Sequence, residues 1–312
     1  MRSHPWLGAT ATAVALSLGL VAGYSYVTHR DSTVDVVAAA PTGSASPTTD
    51  PEPEPVATPS MAGQVLADPA VPLRAAIDGY VSSRGAHLGV VVLDRVTGET
   101  VAYNDSVRFD TASVVKVDIL ATLFLRAQGA GRQLTSEQKD LASQMITESD
   151  NDAATELWDE AGGATGVAQA NRTFGLTQTT PNPDDYWGLT TTTPADQVRL
   201  LGVLADPSGP LSAASRGYAL DLMSRVESDQ RWGVPVAAAT GTTAVYVKDG
   251  WLSNENDDDR WIVNSVGRLV EPGHDWLVAV LSDHWSTEDS GIAVVEHVAA
   301  IVVAGLRSAM AD

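Results

Sequence analysis

The chain contains no cysteine. Disulfides, thiol nucleophiles, iron–sulfur clusters and Cys-ligated zinc are thereby excluded. Lysine is scarce: only Lys116, Lys139 and Lys248 occur, and arginine supplies the rest of the 19 basic residues. Those 19 face 39 acidic residues, for a formal charge of −20. A chain this acidic repels phosphate backbones, so nucleic acid is not an expected partner. The six histidines show no H-E-x-x-H or comparable ligand spacing, so no metal or organic cofactor is expected. What is present is a 312-residue sequence with 44% apolar and 19% charged residues. That is too apolar for a disordered chain and too polar for a polytopic membrane protein.

Residues 1–30 read as a signal peptide or membrane anchor. The run from Trp6 to Val27 is apolar and long enough to span a bilayer as a helix. Ala38-Ala39-Ala40 has the small residues of a cleavage site, but Pro41 follows, which favours an anchor over a removed signal. Either reading sends the remainder across the membrane, so the expected location is extracytoplasmic. Residues 31–66 form a linker rich in Pro, Thr and Glu, semi-rigid and extended. Residues 67–312 are long enough to bury a sizeable core and read as one domain.

Within that domain, helices are expected over 73–84, 114–128, 136–147, 152–161, 194–204, 213–226 and 291–306. Strands are expected over 88–94, 100–103, 244–248, 261–266 and 276–281. Strands at both ends with helices between them predict an α+β domain. Its sheet pairs N-terminal with C-terminal strands, and a mostly helical lobe is inserted between them.

Three short motifs carry the chemistry. Ser113-Val114-Val115-Lys116 opens a helix, where positions i and i+3 share a face. A serine hydroxyl needs a neighbouring base, and a lysine serves once burial or another cation lowers its pKa. The preference of this chain for arginine makes each lysine informative, because arginine cannot give up its proton. Ser149-Asp150-Asn151 supplies a second hydroxyl, a helix-capping carboxylate and an amide that can bind a substrate carbonyl. Lys248-Asp249-Gly250 ends a strand, with Gly250 permitting close approach by a ligand.

Taken in order, Ser-x-x-Lys, Ser-Asp-Asn and Lys-x-Gly resemble the motif set of class A β-lactamases and penicillin-binding proteins. Thr191-Thr192-Thr193-Pro194 is similar to the T-T-T-P that follows the Ω-loop in that superfamily, and the terminal helix also fits. The separation of Ser149 and Lys248 suits the family. That of Ser113 and Ser149 is short for it and implies a trimmed helical lobe. The resemblance implies a β-lactamase/transpeptidase-like fold and an acyl-enzyme at Ser113. It makes Lys116 the base, Ser149 the proton shuttle, Asn151 a substrate-amide ligand and Lys248 the anchor for a substrate carboxylate. The oxyanion hole would use the N–H groups of Ser113 and Trp251. The implied substrates are β-lactams or acyl-D-Ala-like cell-wall peptides. A carboxypeptidase, an esterase or a degenerate cell-wall-sensing module on the same fold are the alternatives.

Two departures qualify this resemblance. Class A enzymes carry a deacylating glutamate upstream of T-T-T-P, but residues 171–193 contain none. Asp184 and Asp185 are the only carboxylates there, so slow deacylation is expected. The usual threonine of K-T-G is Asp249, which would repel a substrate carboxylate if it faced the cleft. Trp232, Trp251, Trp261, Trp276 and Trp285 read as core or rim. The Asn254–Asp259 segment reads as a solvated hairpin loop and not a calcium site. Asp283 and His284 are not taken as a Ser-His-Asp triad, because no G-x-S-x-G elbow exists.

Overall fold

A computed structural model describes residues 70–254 and 257–310. The anchor and linker expected over 1–66 lie outside the described residues. Among the described residues the chain runs α1 (Ala70–Ser82), β1 (His87–Asp94), β2 (Thr100–Tyr103), β3 (Phe109–Asp110) and α2 (Val115–Gly129). It continues through α3 (Ser136–Ser143), α4 (Asn151–Ala161), α5 (Gly163–Phe174), β4 (Thr191–Thr192), α6 (Pro194–Ala205) and α7 (Ala213–Ser224). It closes with β5 (Ala244–Asn254), β6 (Arg260–Glu271), β7 (His274–Trp285) and α8 (Glu288–Ala309).

The antiparallel sheet has the order β2-β1-β7-β6-β5, so N- and C-terminal strands pair as expected. Side chains alternate along a strand. In β7, Leu277, Ala279 and Leu281 face a core built with α2, α4 and α6, while Trp276, Val278 and Val280 face α1 and α8. Both faces are thus covered, which is why β1 and β7 are buried almost continuously. Helix α8 is long and apolar enough to cross a membrane. Its buried residues, among them Val295, Val298 and Val302, instead pack on the sheet.

The fold differs from the sequence reading in detail. The strands β5 to β7 run past their expected ends; in β5, Asp249 and Gly250 read as a strand end but continue the ladder. The helix expected over 136–147 stops at Ser143 and continues as a π-turn, Gln144–Glu148. Helix α5 is absent from the sequence reading, since Gly162 and Gly163 at its start look like a loop. The helical lobe centres on α2, which is buried nearly all round, with Lys116, Asp118 and Thr122 as polar residues inside it.

Candidate active site

Ser113 sits on a single 3₁₀ turn, Ala112–Val114, immediately before α2. Ala112 has φ 46°, a left-handed conformation costing an L-residue about 1–2 kcal/mol. Tertiary bonds hold it there. Thr111 N–H donates to Thr190 O at 2.8 Å, and Asn264 Nδ2 donates to Asp110 O at 2.9 Å and Thr111 O at 3.0 Å. Asn264 is itself fixed, because Ser282 N–H donates to its Oδ1 at 3.0 Å. Sequence reasoning missed Asn264, which sits within a strand and belongs to no motif.

Strand β5 is a sheet edge and lies directly against this turn. A Cβ on Gly250 would fall 2.7 Å from the backbone nitrogens of both Ser113 and Val114. Only glycine lets the strand approach so closely. Gly250 also sits opposite Asn264 in the β5–β6 register, so glycine and clamp act on the same turn.

Lys116 is fully buried. Its Nζ donates to Ser149 O at 2.5 Å, Asn151 Oδ1 at 2.8 Å and Ser149 Oγ at 3.1 Å. Burial, and then the charge of Lys248, lowers its pKa to about 7. Lys248 is fully buried too, and its Nζ donates to Ser149 Oγ and to Asp249 O, both at 2.9 Å. Burial also pushes the Lys248 amine down. Ser149 Oγ therefore lies between two amines. A hydroxyl oxygen accepts two bonds and still has its own proton to donate. Ser149 reaches this position because it ends the π-turn with φ 56°, and Asp150 N–H closes that turn onto Gln144 O at 3.2 Å. Asp150 caps α4, accepting from Ala153 N–H at 2.7 Å, as its motif suggested.

The cleft in front of Ser113 encloses about 630 Å³, within the usual range of small-molecule sites. Asn151, Asp185, Trp187 and Trp251 line it with Ser113, and no lysine or arginine does. Trp187 was not foreseen, although its place just before Thr191-Thr192-Thr193-Pro194 was a usable signal. Its ring lies 5.0 Å from Lys116 Nζ, and its Nε1 donates to Thr155 Oγ1 at 3.1 Å. An indole thus covers the amine from the side of the loop that precedes T-T-T-P.

The geometry alters four expectations. The Lys116 amine turns toward Ser149 and Asn151 and makes no hydrogen bond to Ser113 Oγ. Lys248 is fully buried and outside the cleft lining, and its amine meets Ser149 Oγ at the back of the site. Asp249 points away from the cleft, because strand alternation sends it to the other sheet face. There it is fully buried and accepts from Trp232 N–H at 3.1 Å. Burial pushes its carboxyl up, and it does not confront a substrate. Asp184 is exposed and outside the cleft lining. Asp185 does line the cleft, but its Oδ1 accepts from Trp158 Nε1 at 2.9 Å and Ala164 N–H at 3.0 Å. Those bonds, the Ala164 amide first, hold its carboxyl below the ordinary value. Asp185 is a brace between its loop and the helices α4 and α5.

Of the tryptophans set aside, Trp276 and Trp285 are core, while Trp251 forms the rim, its ring 6.0 Å from that of Trp232. Asp283 and His284 take no part in the Ser113 site.

Comparison with known proteins agrees with this architecture. The model of the "Beta-lactamase enzyme family" matches residues 72–139 and 125–306. Proteins described as "Putative lipoprotein LppW" from Mycobacterium tuberculosis and Mycobacterium bovis are 34% identical over 178 residues, which is 55% of this chain and 56% of theirs. The chain thus spans a little over half the length of these curated relatives. The solved structure of PBP-A superposes with a TM-score of 0.66 at 22% identity, covering 76% of this chain and 97% of that one. A class A β-lactamase from Bacteroides cellulosilyticus gives 0.66 at 18% identity, covering 77% and 99%. The chain belongs to the beta-lactamase enzyme family and carries the β-lactamase fold.

Proposed function

We propose that this protein is a serine hydrolase acylated at Ser113, with β-lactams or acyl-D-Ala-like cell-wall peptides as substrates. The observation that carries the reading is the Ser149 hydroxyl held between the amines of Lys116 and Lys248, behind the turn that presents Ser113. Near pH 7 a large share of Lys116 is neutral. In the reaction its Nζ leaves Ser149 O and takes the proton of Ser113 Oγ. Catalytic hydrogen bonds are commonly long or misaligned before substrate binds. The Oγ attacks the substrate carbonyl, the acyl C–N bond breaks, and Ser149 passes a proton to the leaving nitrogen. Ser149 regains that proton from Lys116. Asn151 offers its amide to the substrate from the cleft wall.

Deacylation is slow in this reading. A carboxylate placed as general base is worth about 10²–10⁴-fold, Asp185 is held through its Oδ1 by Trp158 and Ala164, and Trp187 lies over Lys116. A mutant of PBP-A has been captured as an acyl-enzyme complex with penicillin G, which gives the reading a precedent on this fold.

A second reading, an esterase for uncharged substrates, is favoured by the cleft lining, which has no lysine or arginine and one aspartate. Fluorescent penicillin separates the two. Labelling that persists by mass spectrometry and vanishes in Ser113→Ala supports the first. Labelling of neutral acyl esters alone supports the second, and fast turnover without an adduct contradicts slow deacylation. Residues 1–30 would carry the domain outside the cytoplasm and 31–66 would space it from the membrane. The lipoprotein description of the mycobacterial relatives is in keeping with that.

A further inference from the structure

Two histidines far apart in sequence meet at one end of the sheet. His87 opens β1, and His284 lies at the end of β7. The two strands pair so that His87 stands opposite Asp283. Two imidazoles therefore converge on one carboxylate oxygen. His87 Nδ1 is 2.5 Å from Asp283 Oδ1, and His284 Nε2 is 3.6 Å from the same atom. One ligand atom from each of the three residues lies within 4.8 Å of the other two. The imidazole rings face each other at 5.4 Å between centroids, tilted by 32°.

We propose that His87, Asp283 and His284 form a three-ligand site for a divalent transition metal of the zinc class, with Asp257 holding His284 in position. The donor set is two imidazoles and a carboxylate, which suits zinc with a remaining position for water. The side chains are 43%, 17% and 45% exposed, so water has access to that position. Tetrahedral zinc, with bonds of about 2.0–2.1 Å, spaces its donors by roughly 3.3 Å. The observed separations, 2.5 Å and 3.6 Å with all three atoms within 4.8 Å of one another, bracket that spacing. To ligate through Nδ1, the neutral His87 ring carries its one proton on Nε2, and the metal replaces the hydrogen bond between His87 Nδ1 and Asp283 Oδ1.

The surroundings of His284 separate this group from a chance ion pair. Its Nδ1 is bonded to Asp257 Oδ2, which turns Nε2 toward Asp283. Metal-ligating histidines regularly bond a carboxylate through their second nitrogen, which fixes tautomer and orientation. Asp257 is in turn held by Arg260. His284 also adopts φ 64°, a left-handed conformation that histidine takes more readily than most side chains. The loop bearing Asp257 follows Ser253, which lines the Ser113 cleft. A bound metal would therefore pin β1, β7 and the β5–β6 loop together beside the cleft rim. The site does not depend on the proposed acylation at Ser113.

The test is calorimetric titration of Zn²⁺ into the full-length, EDTA-stripped chain in mild detergent. One Zn²⁺ per chain with a micromolar Kd is expected, together with a rise in melting temperature. His87→Ala and His284→Ala should each weaken binding about a hundredfold, and Asp257→Asn about tenfold. His297→Ala, a histidine stacked on Tyr80, should leave binding unchanged. Circular dichroism checks that each variant folds. If a variant does not fold, X-ray absorption of the zinc-loaded wild type decides, with two imidazole ligands expected. No saturable binding below millimolar zinc, equal binding by the His87→Ala/His284→Ala double variant, or a first shell without paired imidazoles would overturn the proposal.

Discussion

Helix α2 carries two buried ionisable residues, Lys116 and Asp118, and the regions around them are opposites. Around Lys116 the polar groups satisfy one another: Ser149, Asn151 and Lys248 are linked by hydrogen bonds and border a cleft. Around Asp118 the contacts are looser: its carboxyl is buried beside Thr122 and Asn171, whose side chains lie close enough to favour the charged form but outside good hydrogen-bond geometry. Burial moves both pKa values to about 7, one down and the other up. The shift alone therefore does not mark a reacting group. Connection to other groups and access to a cleft do.

The largest expected effect lies on the Lys116 side. Lys116→Ala should slow acylation of Ser113 about 10²–10⁴-fold, the worth of a positioned base. Lys116→Arg should be as slow, because a guanidinium stays protonated. The acylation rate of the wild type should fall tenfold per pH unit below about 7, as the amine becomes protonated. Stopped-flow acylation across pH 5–9 measures both. An active Lys116→Arg variant would remove lysine from the role of base.

Gly250→Ala comes next. The added methyl meets backbone nitrogen at 2.7 Å, so turn or strand must move. Misplacing a nucleophile by about 1 Å costs roughly 10²-fold. A loss of that size in acylation, with a modest drop in melting temperature, is expected. An unchanged rate would mean that the turn tolerates displacement.

Part of this contrast could be read in the sequence. Lys116, Ser149 and Lys248 stood out because lysine is so rare in the chain and because helical spacing aligns Ser113 with Lys116. The pairing of first and last strands followed from the order of elements. Asn264, Trp187 and Asp118 did not stand out. Asn264 acts across strands, and a cross-strand contact has no local signature. Asp118 interrupts an apolar helix once, which periodicity absorbs. The facing of Asp249 depends on strand register, which its motif does not state. His87 and His284 are joined only by the β1–β7 pairing.

On the Asp118 side the expected effect is on stability. Its carboxyl is held near a pKa of about 7 in the fold, against about 3.9 in the unfolded chain. Folding then retains a proton that the unfolded chain releases. Stability is therefore highest below pH 4 for this group and declines as pH rises to 7, by at most about 4 kcal/mol. Lys116 is protonated in both states over most of that window and adds little there. Asp249, also pushed up by burial, adds a decline of the same sign. The difference between wild type and Asp118→Asn isolates the share of Asp118. Urea melts at pH 4.5 and 7.5 should show a smaller decline in the variant. Equal declines would mean that Asp118 ionises freely in the folded state.

The smallest expected effect concerns the carboxylates near the cleft. If bonding decides which group reacts, Asp185 is no base despite its position. Both of its bonds are accepted by one oxygen, and an asparagine carbonyl can accept them too, so Asp185→Asn should fold with little loss. The lifetime of a penicillin adduct should stay within about threefold of wild type in both Asp184→Asn and Asp185→Asn, far below the 10²–10⁴ of a lost base. Mass spectrometry of adduct decay reads this directly. A tenfold longer lifetime in Asp185→Asn alone would show that a carboxylate engaged by Trp158 and Ala164 can still activate water, and the line between bracing and reacting groups would have to be redrawn.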